Sequence, residues 1–461
     1  MKKKRRKPNH FISYLICLLV LGSWKVTAQS GLSELLETAE KNYPSIVAKE
    51  AMAAAADRQV ALEKNTLMPS LDAAYQANYA TYNNITGMLL PGQLVPISGP
   101  PSTENYNEAV PGTAASLLLK WTPLTFGQRA AAIEAEQKTY EKHLAALEDE
   151  KLRVKFKTAS QYLEMVTTQS LIIAYDKNIE RTTFNLDQAK ALVNAGLKPA
   201  VDSMRFKSEL SKSKSEKYQL EHLLQSQKEA IKELLAAEEL PDLDMEASWL
   251  TTLPEFIVQG KGDTRLNPQL KMAALENESQ QARLRQINRE WIPQLEFWAT
   301  TYARGSGIDF DGSVNPSEGW SFSRYNYGLG VQLVFPILGL SQVKIKSSRQ
   351  KALLDHSKST LNQTQLMIRR QENLAFSELS TALKIAAEVP IELEASQAAF
   401  NALQTRYNEG LIDYTDLIES QYGLFQAEAR FRQSYMQSWK ALLQLAVIRG
   451  DLGIFLNQIE N

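Results

Sequence analysis

The sequence predicts a mainly α-helical chain with a membrane β-barrel portion, built from an internally duplicated strand–strand–long helical hairpin unit. Three observations carry that prediction: a secretory signal, a duplicated punctuation, and helical stretches far longer than a globule needs. Pro44 and Pro69 return 224 residues later as Pro268 and Pro293. Ala195-Gly196-Leu197 with Asp202 returns 214 residues later as Glu409-Gly410-Leu411 with Asp416. Equal spacing at distant places marks a repeated structural unit, at a much longer period than solenoid repeats show.

Residues 1–28 are expected to be a cleaved signal peptide. Lys2, Lys3, Lys4, Arg5, Arg6 and Lys7 form its basic start, Phe11 to Leu21 its apolar centre, and Val26-Thr27-Ala28 a small-residue cleavage site. The apolar centre is too short for a membrane anchor, which takes about 20 residues. Cys17 is the chain's one cysteine and lies inside this segment with no small residue before it, so a lipidated N-terminus is not expected. The mature chain then has no thiol, which excludes disulfides, thiol catalysis and thiolate metal sites. Cleavage removes seven Lys/Arg and no acid, moving the formal charge from −1 to −8. A nucleic-acid surface would need the opposite balance.

Each element follows in order. Short helices are expected at about 33–65 and 266–291, each ahead of a strand region. From Gly127 to Gly196 there is neither Gly nor Pro, and Ala, Leu, Glu, Lys and Gln dominate. Such a stretch predicts a helix over about 128–194, a rod of roughly 100 Å at 1.5 Å per residue. Gly196 and Pro199 stop it, and a return helix runs over about 200–237. The second copy repeats this over about 341–408 and 413–449, broken by Pro390, with Gly423 an isolated weak point. Residues 238–265 hold Pro241, Pro254, Gly260 and Gly262 and read as an irregular connection, and 451–461 as a C-terminal tail. The first repeat thus covers 29–237 and the second 266–450.

After Pro69 and Pro293 the period changes to two. Tyr325, Tyr327, Leu329, Val331, Leu333 and Phe335 alternate with Asn326, Gly328, Gly330, Gln332 and Val334. Strands are expected at about 69–82, 113–122, 293–304 and 324–335, with one apolar and one polar face, as in a membrane barrel with a wet lumen. The loops at about 83–112 and 305–323 are rich in Gly, Pro, Asn and Ser, which suits extracellular connections. No apolar run after the signal is long enough for a membrane helix, so contact with outer-membrane lipid, if the protein sits in a membrane, falls to the strands; the alternative for these strands is a half-buried soluble sheet.

Four strands cannot close a barrel in lipid, where open edges are not tolerated. Several chains must share one barrel: two give eight strands, three give twelve, four give sixteen. The residues then resemble the TolC-like outer-membrane efflux proteins, also called outer-membrane factors. The resemblance rests on Leu67-Met68-Pro69-Ser70-Leu71, Trp291-Ile292-Pro293-Gln294-Leu295, Pro123-Leu124-Thr125-Phe126-Gly127, Phe335-Pro336-Ile337-Leu338-Gly339 and Tyr407-Asn408-Glu409-Gly410-Leu411 followed by Asp416-Leu417-Ile418-Glu419. It implies a homotrimer with a twelve-stranded barrel in the bacterial outer membrane and an α-helical barrel extending into the periplasm. An equatorial region falls at 238–265. It also implies a periplasmic adaptor and an inner-membrane transporter as partners, with the chain as their passive exit duct.

The same resemblance places the Gly196 and Gly410 turns at periplasmic tips, with Gly196, Leu197, Gly410 and Leu411 as adaptor-docking positions. Asp416, Glu419, Asp202 and Tyr407 become the periplasmic gate. Asp416 and Glu419 are three apart and share a helix face. Symmetry would make each carboxylate a ring that attracts cations. Where the family's best-known member has an Arg two residues after the Gly, this chain has Ile412, and Arg406 or Arg205 is the candidate substitute.

No enzyme is expected and no cofactor or metal. Only His143, His222 and His356 remain after the signal, scattered over helical stretches, and no Gly-rich phosphate loop is present. The competing class is a secreted or periplasmic structural coiled coil without transport activity, which needs sustained heptads and no amphipathic strands.

Overall fold

The computed structural model describes residues 31–81, 88–90, 93–95, 105, 107–243, 251–256, 266–309 and 313–459. The expected signal peptide, and most of the expected 83–112 loop and 238–265 connection, lie outside them. The chain divides into two compact units. One comprises residues 1–50, 146–271 and 365–461, the other 51–145 and 272–364. Each unit draws on both halves of the sequence, so the compact units are not the sequence repeats.

The sheet lies in the second unit. Its strands are β1 (Ser70–Ala80), β4 (Val110–Leu124), β5 (Gln294–Ser306) and β6 (Arg324–Val334), antiparallel in the order β1-β4-β5-β6. Two short strands, β2 (Met88–Leu90) and β3 (Gln93–Val95), pair with each other. The two repeats therefore meet through β4 and β5, where Leu117 lies opposite Thr301 and Leu119 opposite Ala299. Both outer edges, on β1 and β6, are unpaired among the described residues. Tyr75, Tyr79, Tyr325, Tyr327 and Leu329 stand exposed on these two edge strands. Gly330 lies directly opposite Trp298, and a Cβ there would meet the indole at 2.7 Å. Glycine at 330 is what lets the indole lie flat on the strand.

Strand gives way to helix at Phe126 and Gly127, both with positive φ (45° and 89°). Arg129 secures the swap, donating to the Pro123 carbonyl at 3.3 Å and to the Thr66 hydroxyl at 3.0 Å. Arg289 donates to the Gly127 carbonyl at 2.8 Å.

The first unit is helical. Its α1 (Leu32–Asn42) buries Leu32, Leu35, Leu36 and Ala39, the i, i+3, i+4, i+7 stripe of an amphipathic helix. Tyr43 is extended ahead of Pro44, which opens α2 (Pro44–Asn65) at a position where its missing N–H costs nothing. The long helices are α3 (Gln128–Asn194, 67 residues) and α6 (Gly339–Asn408, 70 residues), each contributing residues to both units. Their return helices are α4 (Ala200–Leu235) and α7 (Tyr414–Arg449), and α5 (Pro268–Ile287) precedes β5.

One difference from the sequence reading stands out. Pro390 does not break α6, which runs through it. The neighbouring Ala382, Ala386 and Val389 are buried along one stripe, and that packing holds the turn despite the lost hydrogen bond. Within the expected C-terminal tail, Gly453–Ile459 forms α8, whose Phe455 is fully buried edge-on to Trp439 at 6.2 Å.

Candidate functional site

Both hairpin turns close with the same hydrogen bonds. After α3, the Leu197 amide donates to the Leu192 carbonyl at 2.9 Å and Gly196 to Val193 at 3.0 Å. After α6, Leu411 donates to Arg406 at 2.9 Å and Gly410 to Tyr407 at 3.0 Å. This double pattern needs a left-handed residue at the glycine, and φ is 75° at Gly196 and 78° at Gly410. A Cβ at either would meet nothing within 4 Å. Glycine is there for the backbone alone. Leu197 (70% exposed) and Leu411 (63%) project from the two turns.

Beneath the turns lies a small aromatic core. Tyr407 is fully buried with Phe206 at 6.4 Å, and Phe206 meets Tyr414 edge-on at 4.5 Å. Leu186, Ala189, Phe400, Leu417 and Leu424 complete it. The Tyr407 hydroxyl is buried without a hydrogen-bond partner. Burial, reinforced by the Asp202 carboxylate, raises its pKa above the ordinary phenol value. Tyr414 is pushed up to about 12, first by burial and then by Glu209, against an opposing effect of Arg205. The Arg205 guanidinium sits 5.6 Å from the Tyr414 ring centroid.

The four acidic and aromatic positions singled out by sequence separate into two groups. Asp202 and Tyr407 are buried. Asp416 and Glu419 are exposed in the first two turns of α7, on one face, and neither has an ion pair among the described residues. The helix N-terminus favours negative charge there. Neither Arg406 nor Arg205 pairs with a carboxylate among the described residues: Arg406 is exposed, and Arg205 stacks on Tyr414.

Sequence reasoning missed two features. Lys198 reaches from the first turn to the second, donating to the Ile412 carbonyl at 3.0 Å. The other is a buried polar network joining four helices. Gln421 of α7 donates to Thr182 at 2.6 Å and Asn178 at 3.1 Å, and accepts from Asn185 at 2.8 Å. Asn178 donates on to Ser213 at 3.1 Å, and Gln404 donates to Asn185 at 2.6 Å. Arg181 adds a two-pronged pair with Glu428 at 2.9 and 2.7 Å. A polar residue on an otherwise apolar seam was the only signal, and Gln421 between Leu417 and Leu424 carries it. Among the described residues, no group of three or more His, Cys, Asp or Glu could hold a metal ion, and no helix is long and apolar enough to cross a membrane.

The family model described as outer membrane efflux protein matches residues 35–237 and 265–448. The chain belongs to that family. The unmatched residues between the two segments fall between the two copies, so this outer membrane efflux protein matches once per repeat. It is an outer-membrane transport protein that extends into the periplasm, and not an enzyme. Among curated relatives it is 22% identical over 329 residues to the cobalt-zinc-cadmium resistance protein CzcC of Cupriavidus metallidurans, covering 70% of this chain and 74% of that one. Among solved structures, the CmeC outer membrane channel of Campylobacter jejuni superposes with a TM-score of 0.75 at 13% identity, covering 93% of this chain and 87% of that one. The open state of the Neisseria gonorrhoeae MtrE outer membrane channel gives 0.72 at 14%, covering 91% and 89%. These likenesses establish the fold, mainly helical with a strand portion.

Proposed function

We propose that three copies of this efflux protein assemble into one duct, closing a twelve-stranded barrel in the outer membrane. The duct passively carries substrates delivered by an inner-membrane transporter through a periplasmic adaptor. Support for the assembly comes from the two unpaired edges of a four-stranded sheet, a state that hydrocarbon does not tolerate. A signal peptide at residues 1–28 accounts for export, and cargo choice rests with the transporter. The exposed Leu197 and Leu411, beside Gly196 and Gly410, are the surface offered to the adaptor.

The gate is assigned to the tips. One observation carries it: Asp416 and Glu419 are exposed and unpaired on one face of α7, just past the Gly410 turn. Copied by symmetry, they form acidic rings that hold cations and narrow the passage. Tyr407 and Asp202, buried behind them, set the packing of the tip. In planar bilayers, Asp416→Ala with Glu419→Ala is expected to raise single-channel conductance or weaken block by multivalent cations. Conductance and block both unchanged from the parent channel would remove the gate.

A further inference from the structure

Two arginines face each other at the loop end of the sheet. Arg304, near the end of β5, lies directly opposite Arg324 at the start of β6. Side chains placed opposite in an antiparallel pair project to one face, and like charges there repel. Both arginines are exposed. Arg324 has the Asp309 carboxylate at 4.0 Å, too far for a hydrogen bond, and Arg304 has no ion pair among the described residues. The sheet gains nothing from this pairing, so two guanidiniums are left with donors to offer.

The face they occupy is the polar one. Alternation sets Arg304 with Thr300 and Glu296, and Arg324 with Asn326 and Gln332, whose amide donates to Glu296 at 2.9 Å. Tyr327, Leu329, Val331 and Leu333 take the other side. The backbone beneath the arginines is held firmly. The Ser323 amide donates to the Arg304 carbonyl at 3.0 Å, the Gly307 amide to Pro111 at 3.0 Å, and the Thr113 hydroxyl to Gly319 at 2.9 Å. A planar guanidinium on a fixed backbone suits two-pronged binding of phosphate or carboxylate.

We propose that Arg304 and Arg324 bind multivalent anions, phosphates or polycarboxylates, at the loop mouth of the duct. This rests on the three-copy barrel above, which turns the polar face inward and gathers the pairs into a basic ring. Rings of arginine are what anion and phosphate pores use. The duct is then acidic at its helix tips and basic at its mouth.

The full-length channel in planar bilayers of zwitterionic lipid, titrated with inorganic tripolyphosphate, tests the ring. The parent current should be blocked, and Arg304→Gln with Arg324→Gln should raise the half-blocking concentration roughly tenfold or more. The same variant should shift the reversal potential in a KCl gradient toward cation selectivity. Arg304→Lys with Arg324→Lys keeps the charge and should stay within about threefold of the parent. Should the glutamine pair fail to assemble, Arg304→Gln alone carries the test, with a rise of about threefold expected. A conducting trimer whose glutamine variant is blocked like the parent overturns the ring and leaves the barrel standing. An effect seen only when phosphatidylglycerol is added to the bilayer puts the arginines against lipid and also overturns it. A parent protein that forms no trimer overturns the barrel reading, and the ring with it.

Discussion

Replacing Gln421 by Met is expected to loosen the tip half of the helical unit without changing its shape. Gln421 is 1% exposed and serves three partners on α3. Methionine keeps the volume and supplies no N–H donor. Thr182 loses least, because its hydroxyl already donates to the Asn178 backbone carbonyl at 2.8 Å. Asn178 loses a donor to its side-chain oxygen, and the Asn185 amide loses its acceptor. Each such buried orphan costs about 1–3 kcal/mol. The thioether is a weak acceptor toward Asn185, so the expected total is about 2–4 kcal/mol. At 1.4 kcal/mol per tenfold, that is a roughly 30- to 1,000-fold rise in local opening. Hydrogen exchange of the amides in 178–189 and 417–428 reads it directly. The sheet amides, which share no partner with Gln421, should be unaffected. A change of less than about threefold, under ~0.7 kcal/mol, would refute the claim that this network fastens the hairpins.

Further outcomes follow from the same geometry. Gly410→Ala should cost only the strain of φ 78°, about 1–2 kcal/mol, because its Cβ meets open space. Gly450→Ala should cost clearly more in thermal unfolding, since φ is 75° there too and the Cβ would lie 2.6 Å from the Leu266 carbonyl oxygen; equal losses would refute the packing argument. Ultraviolet titration should show two phenols ionising at about 12, Tyr175 and Tyr414, of which Tyr414→Phe removes one. Because the folded-state pKa is raised, the neutral ring's contribution to stability is whole below pH 10 and is lost as pH climbs toward 12. Leu197→Asp with Leu411→Asp should abolish capture of the adaptor while the channel still conducts; retained capture would place docking elsewhere.

Local signals show where the chain can be read and where it cannot. Strict alternation over 324–335 marks a strand because side-chain period two is a property of the backbone itself, and β6 is Arg324–Val334. Gly196 and Gly410 are visible as turns because positive φ selects glycine almost alone. The strand expected at 113–122 begins earlier, at Val110, through Pro111 and Gly112. Two discouraging residues are accommodated there because the Thr113 hydroxyl donates to Gly319 at 2.9 Å and β1 pairs along the whole stretch. Pro390 misses for the converse reason: a local penalty of one hydrogen bond is outweighed by burial against distant residues.

The sequence by itself determined the duplication, the alternation of strands with very long helices and the two glycine turns. All are written in periods, spacings and backbone exceptions that require no knowledge of neighbours. Only the tertiary structure decided which side chains meet. It brought Lys198 to Ile412 across 214 residues, gave Arg205 to a tyrosine ring rather than a carboxylate, and joined Gln421 to α3 across 236–243 residues. Hydrogen bonds and ring contacts act over a few ångströms, and which residues come that close depends on how helices from both repeats pack, which no single stretch of chain specifies.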